Sequence, residues 1–229
     1  MVSLCVKSPQ RIKVKSYALL PIGETTWAKK GRFTGKTDIA LTEEGEAQVS
    51  HAATKAVGPG KLIDPQGLGT IYVSPRLRAK QTLDLLVPDA ADRGIIRNEI
   101  EEWDYGHYEG LTIDKIKELR RTRGLDKDEE WNIWSDGCEG GESKEQVTDR
   151  LDRLISEVRQ IQKASMDGRG AADILIVAHG LILRCFAKRW IGFEIDASLE
   201  LMMDPGAIAV LSYKNKDIDK PAIHLGMAL

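Results

Sequence analysis

Three residues have types and neighbours that could do chemistry together. His179 follows the apolar run Asp173-Ile174-Leu175-Ile176-Val177-Ala178 and precedes Gly180. Arg78 lies in Ser74-Pro75-Arg76-Leu77-Arg78, just past a second β-branched run, Thr70–Val73. Glu102 stands in the acidic stretch from Glu99 to Asp104, before Trp103-Asp104-Tyr105-Gly106. Such a set offers one permanent cation, one imidazole that titrates near neutrality and one carboxyl, enough to hold an oxyanion and move a proton. Each residue also has a plainer reading. A histidine at a strand end is often structural, an arginine at a helix start is often solvated, and the acidic run reads equally as a loop in which Glu101 replaces Glu102. Arg76 reads either as a second anion holder or as a solvated residue.

The remaining candidates carry less. Gly137-Cys138-Glu139-Gly140-Gly141 has no following Lys, so it reads as a loop rather than a phosphate cradle. Arg120, Arg121 and Arg123 read as a solvated helix end. His51, His107 and His224 show no ligand spacing, and neither a metal nor another cofactor is expected. Cys5, Cys138 and Cys185 are odd in number and widely spaced, which fits a reducing compartment, the cytoplasm, better than a disulfide framework.

The elements that must position these residues alternate between strand and helix. Tyr17-Ala18-Leu19-Leu20 reads as a buried strand stopped at Pro21-Ile22-Gly23. Thr42 is an N-cap for a helix to about Val57, and Pro75, at a first helical position, opens another to about Leu86. Val147, Leu151, Leu154, Ile155, Val158 and Ile161 form the core stripe of a long helix from about Ser143. The run Asp173–Ala178 is a strand feeding a helix over Leu181–Trp190, and Ala207–Tyr213 with Ala222–Leu225 reads as a last inner strand and its edge partner. This alternation predicts an α/β fold: a three-layer sandwich, mainly parallel, with helices on both faces and its ligand crevice at the strand C-termini. The 229 residues read as one domain, with a cap-like insertion at about 101–142 covering the crevice. A net charge of -2 gives no field for nucleic acid or an anionic bilayer. No apolar run approaches the roughly 20 residues of a membrane helix. The expected partner is a small molecule, with a homodimer left open as an assembly.

Three motifs in order, Gly23-Glu24-Thr25-Thr26-Trp27, Ser74-Pro75-Arg76-Leu77-Arg78-Ala79-Lys80-Gln81-Thr82 and Ala178-His179-Gly180, resemble the histidine phosphatase (phosphoglycerate mutase-like) superfamily. Phe33-Thr34-Gly35-Lys36-Thr37-Asp38, Glu102 to Gly110 and Trp131 to Glu139 are similar to fungal sedoheptulose bisphosphatases. In that family an Arg-His-Gly triplet ends the first strand, its His taking the phosphoryl group. The resemblance implies that Arg78 is a phosphate-binding arginine, Glu102 the proton donor and His179 the second histidine of the pocket. It places Thr34, Gly35, Trp103 and Tyr105 at the substrate with Pro21, Ile22 and Gly23. Here, however, the triplet reads Pro21-Ile22-Gly23, and an Ile side chain has no lone pair to attack phosphorus. With one cation counted against an apolar wall, the sequence predicts a repurposed enzyme rather than a phosphohistidine-dependent phosphatase or mutase. It would use Glu102 and His179 as acid and base on a partly apolar, at most monoanionic molecule, in an isomerisation, dehydration, cyclisation or retro-aldol step. The alternatives are an inactive pseudophosphatase that binds a ligand or partner, and weak residual hydrolysis by water.

Overall fold

The computed structural model describes residues 17–126, 129–164 and 173–225. Cys5 lies outside them. In chain order the elements are β1 (Tyr17–Pro21), α1 (Thr26–Lys29), α2 (Glu43–Ala56), β2 (Leu68–Val73), α3 (Leu77–Leu86), β3 (Gly94–Ile96), α4 (Ile113–Thr122), α5 (Ile133–Asp136), α6 (Lys144–Lys163), β4 (Asp173–Ala178), α7 (Gly180–Trp190), β5 (Ala209–Tyr213) and β6 (Pro221–His224). They build a six-stranded sheet in the order β3-β2-β4-β1-β5-β6. The first four strands of that order run parallel, and β5 and β6 add antiparallel to β1 and to each other.

The two-residue period of the central strands assigns side chains to two cores. On one face Leu19 of β1 and Ile174, Ile176 and Ala178 of β4 pack with Leu151 and Leu154 of α6 and Ile182 and Phe186 of α7. On the other, Ala18, Leu20, Leu175 and Val177 meet Val49 of α2 and Leu83 and Leu86 of α3. Helices therefore cover both faces, as alternation predicts. The stretch 101–142 sends Trp103, Tyr105, Tyr108 and Trp131 into the first of these cores.

Local chemistry explains the helix starts. Thr42 accepts the Gly45 N–H at 3.0 Å, and Ser143 and Gln146 form a capping box at α6. The helix expected from Pro75 begins later, at Leu77, with Arg76 still extended as N-cap. Its first N–H is capped from a distance, by Asp38 Oδ1 at 2.7 Å, so Pro75 is not needed in the helix.

Pro21 ends β1 at no cost in hydrogen bonds. β5 pairs only with Tyr17 to Leu19, so the missing N–H of Pro21 leaves no partner orphaned on that side. The chain then passes so close to α2 that a Cβ on Gly23 would lie 2.5 Å from the Gly45 carbonyl oxygen. Gly23 is thus a packing requirement.

Candidate active site

Three strand ends meet as expected. Pro21, Ile22 and Gly23 beyond β1, Arg78 in the first turn of α3, and His179, Gly180 and Leu181 at the junction of β4 and α7 all line one cavity of about 290 Å³. Glu102 and Tyr105 from the 101–142 stretch, Phe33 and Thr34, and Met203 and Pro205 complete its walls. Of the residues singled out from sequence, Gly35 and Trp103 are not in the lining. A Cβ on Gly35 would come within 2.5 Å of the Trp103 carbonyl oxygen, and the buried Trp103 indole donates to Glu142 O at 2.9 Å.

Arg78 is almost wholly buried, and among the described residues no carboxylate pairs with it. Its Nε donates to His179 Nδ1 at 3.2 Å, Nη1 to Thr37 O at 2.9 Å, and Nη2 to Thr34 O at 3.0 Å and Gly35 O at 2.9 Å. Four of five donors are spent, leaving one Nη1 N–H for a ligand among the described residues. Loss of solvent lowers its pKa, yet an arginine stays charged throughout the physiological range.

His179 is the N-cap of α7 and has both ring nitrogens engaged. Because Arg78 Nε can only donate, Nδ1 must be the bare nitrogen, so Nε2 carries the proton and donates to Ser74 Oγ at 2.7 Å. Burial, reinforced by Arg78, holds the imidazole neutral, with a pKa well below its ordinary 6.5. In this arrangement the ring orients Arg78 and has no lone pair left for the cavity.

Glu102 sits at the N-terminus of α7. Its Oε1 accepts the N–H of Trp103 at 2.9 Å and of Ile182 at 3.2 Å, and its Oε2 that of Leu181 at 3.4 Å. Burial pushes the carboxyl pKa up against the lowering effect of these donors and of Arg78, so the group keeps its proton to higher pH than an exposed glutamate. Its neighbour Glu101 is outside the lining and pairs with Arg76 at 2.7 Å.

Two cavity cations were missed from sequence. Arg184 donates from Nε to Gly180 O at 3.1 Å and lies over the Trp134 ring at 5.4 Å, and Arg32 lies over Trp27 at 5.8 Å. Neither has a carboxylate partner among the described residues. Arg184 was findable, since it stands one helical turn beyond Gly180 and shares its face. Arg32 carried no such signal, because only the folding of the loop after α1 brings it to the crevice. Among the described residues Glu102 is the single acid in the lining, against three arginines. The other clusters lie elsewhere. Arg120 pairs with Asp126, Arg123 with Glu139, and the Cys138 thiol is pushed up to about 12 by burial. Among the described residues no helix is long and apolar enough to cross a membrane.

Comparison with known proteins places the chain in a family. Residues 23–222 match the histidine phosphatase superfamily (branch 1). The chain is 35% identical to the sedoheptulose 1,7-bisphosphatase of Saccharomyces cerevisiae over 89% of both chains, and 31% identical to an acid phosphatase of Mycobacterium tuberculosis over 86% of both. A solved structure of the Rv3214 product of Mycobacterium tuberculosis superposes with a TM-score of 0.69 at 28% identity, covering 92% of this chain and 95% of that one.

These relatives correct the functional expectation drawn from sequence. Phosphatases at this similarity point to phosphoryl chemistry, not to a repurposed isomerase or lyase, and the inactive pseudophosphatase alternative is not supported either. The physical reason for the error is a miscount of charge: one cation was credited to a pocket that holds three, Arg32, Arg78 and Arg184. The chain belongs to the histidine phosphatase superfamily.

Proposed function

We propose that the crevice hydrolyses a phosphate monoester of sugar-phosphate size, with water rather than a side chain attacking phosphorus. The observation that carries this reading is the joint presence of three arginines and one buried carboxyl, its pKa raised by burial, in one 290 Å³ cavity. A dianionic phosphoryl group needs the cations, and a leaving alkoxide needs the proton. The unspent Nη1 N–H of Arg78 anchors the phosphoryl oxygens. Arg184 and Arg32 are placed to hold a second anionic group, so a sugar bisphosphate is the favoured substrate class. Phe33, Leu181 and Met203 offer apolar surface to the carbon skeleton.

The step is a single in-line displacement. The ester P–O bond breaks as a P–O bond to water forms, Glu102 gives its proton to the departing oxygen, and a proton of the attacking water returns to the carboxylate. Phosphoryl transfer through a loose, metaphosphate-like transition state demands little of the nucleophile, which suits water. Ile22 at the end of β1 and the fully engaged ring of His179 favour this route over a phosphohistidine intermediate. The test is phosphate release from sedoheptulose 1,7-bisphosphate and from an aryl phosphate. Release that disappears in Glu102→Gln supports the proposal. No release from either ester, with no thermal stabilisation by inorganic phosphate, overturns it.

A further inference from the structure

Arg150 lies on α6, outside the lining of the crevice, with its side chain buried. Four of its five donors converge on one place. Nε and Nη2 donate to the two carboxylate oxygens of Glu142 at 2.8 and 2.9 Å, and Nη1 donates to Glu99 O at 2.6 Å and Glu101 O at 2.9 Å. Glu142 extends the hold. Its Oε2 accepts the Asp104 N–H at 2.9 Å, its own N–H donates to Asp104 O at 3.0 Å, and its carbonyl accepts the Trp103 indole N–H. The peptide is thereby fastened on both sides of Glu102, at 99 and 101 before it and at 103 and 104 after it.

A buried ion pair is weak evidence of stabilisation, because desolvation offsets most of its attraction. What this pair supplies is geometry. The segment from 101 to 105 has no regular secondary structure, yet the Glu102 carboxyl must meet two α7 amides and the crevice together. Resting on the hydrolase reading above, we propose that Arg150 and Glu142 form a clamp that positions the proton donor, Arg150 being a positioning residue that acts through Glu102. A bidentate fork plus two carbonyl contacts defines both direction and distance, which a lysine ammonium, a point donor, does not reproduce. Misplacing a reacting group by about 1 Å costs on the order of 10²-fold in rate.

The experiment is a double-mutant cycle with a readout independent of turnover. On an aryl phosphate, Arg150→Lys is expected to lower kcat about 10- to 100-fold with KM within about twofold, and Arg150→Lys added to Glu102→Gln is expected to lower it no further. An equal loss in both backgrounds overturns the clamp, since a merely structural role would act without Glu102. In parallel, protein carrying ¹³C at the glutamate carboxyls, with the Glu102 signal assigned by its loss in Glu102→Gln, is expected to show that signal shifted or broadened in Arg150→Lys. An unchanged signal in folded Arg150→Lys also overturns the proposal. Should Arg150→Lys fail to fold, Glu142→Gln, which keeps one acceptor oxygen, is read by the same two criteria. If the wild-type chain releases no phosphate and inorganic phosphate does not stabilise it, the hydrolase reading fails alone, and the carboxyl signal still decides the clamp.

Discussion

At the end of β1, Pro21 and Ile22 present carbon atoms to the crevice while Gly23 is pressed against the Gly45 carbonyl of α2. Across the same crevice the β4–α7 junction and the 101–105 segment present Glu102, His179 and Arg78, nearly all of whose polar atoms are engaged. The first wall is shaped by backbone packing and supplies a surface. The second is organised by hydrogen bonds between residues up to about 100 positions apart, and supplies charge and a proton. The two walls are held separately, because among the described residues no hydrogen bond of the Arg78–His179–Ser74 network runs through Ile22.

That separation can be broken most severely at Glu102. Glu102→Gln keeps an oxygen for the α7 amides but removes the proton, and kcat should fall about 10²–10⁴-fold, the usual worth of a general acid, measured as phosphate release at saturating substrate. A loss below threefold would place the proton donor elsewhere. The next effect is one of specificity. Arg184→Ala should raise KM for a sugar bisphosphate about 3- to 10-fold, a partly exposed charge contact, while KM for an aryl phosphate, which has no second anion, changes less than twofold.

The smallest effect is on stability against pH, where the two buried groups of the polar wall act with opposite sign. The folded His179 pKa lies below the unfolded value of 6.5, so below pH 6.5 the unfolded chain takes up a proton that the folded one refuses. The stability it contributes is present above 6.5 and is lost as pH falls toward the folded pKa, at about 1.4 kcal/mol per fully developed pH unit. Glu102, with a raised folded pKa, contributes below its ordinary 4.5 and loses that contribution as pH rises through the folded value. Melting temperatures from pH 7 to 5 should fall more steeply in the wild type than in His179→Gln. Parallel slopes would mean that His179 is free to protonate in the folded chain.

The two walls also differ in how much of them the sequence disclosed. β1 and β4 were legible because a strand buried on both faces is a nearly unbroken apolar run, and α6 because its stripe recurs at helical spacing across 20 residues. β3 escaped notice: three residues, Gly94-Ile95-Ile96, at a half-exposed edge carry no period. α4 was read only at its charged end, Arg120 to Arg123, because its ten residues are mostly charged and give its start no apolar stripe. Within the site, motif order brought Ile22, Arg78, Glu102 and His179 to one crevice, and all four line it. What residue types could not disclose is orientation. That the His179 ring spends both nitrogens on Ser74 and Arg78, or that Arg184 and Arg32 turn toward the same cavity, depends on rotamers and loop paths that only the fold fixes. That loss of orientation led to the undercount of charge and the wrong reaction class.

The central claim is that the β1 wall takes no covalent part, and the stereochemical course at phosphorus tests it most directly. With a substrate whose phosphoryl group is made chiral by oxygen isotopes, hydrolysed in water of the complementary isotope, a single attack by water inverts the configuration of the released phosphate. The account predicts inversion, with no acid-labile phosphoprotein in a quenched reaction. Net retention, the mark of two successive displacements through a phosphorylated side chain, would contradict it.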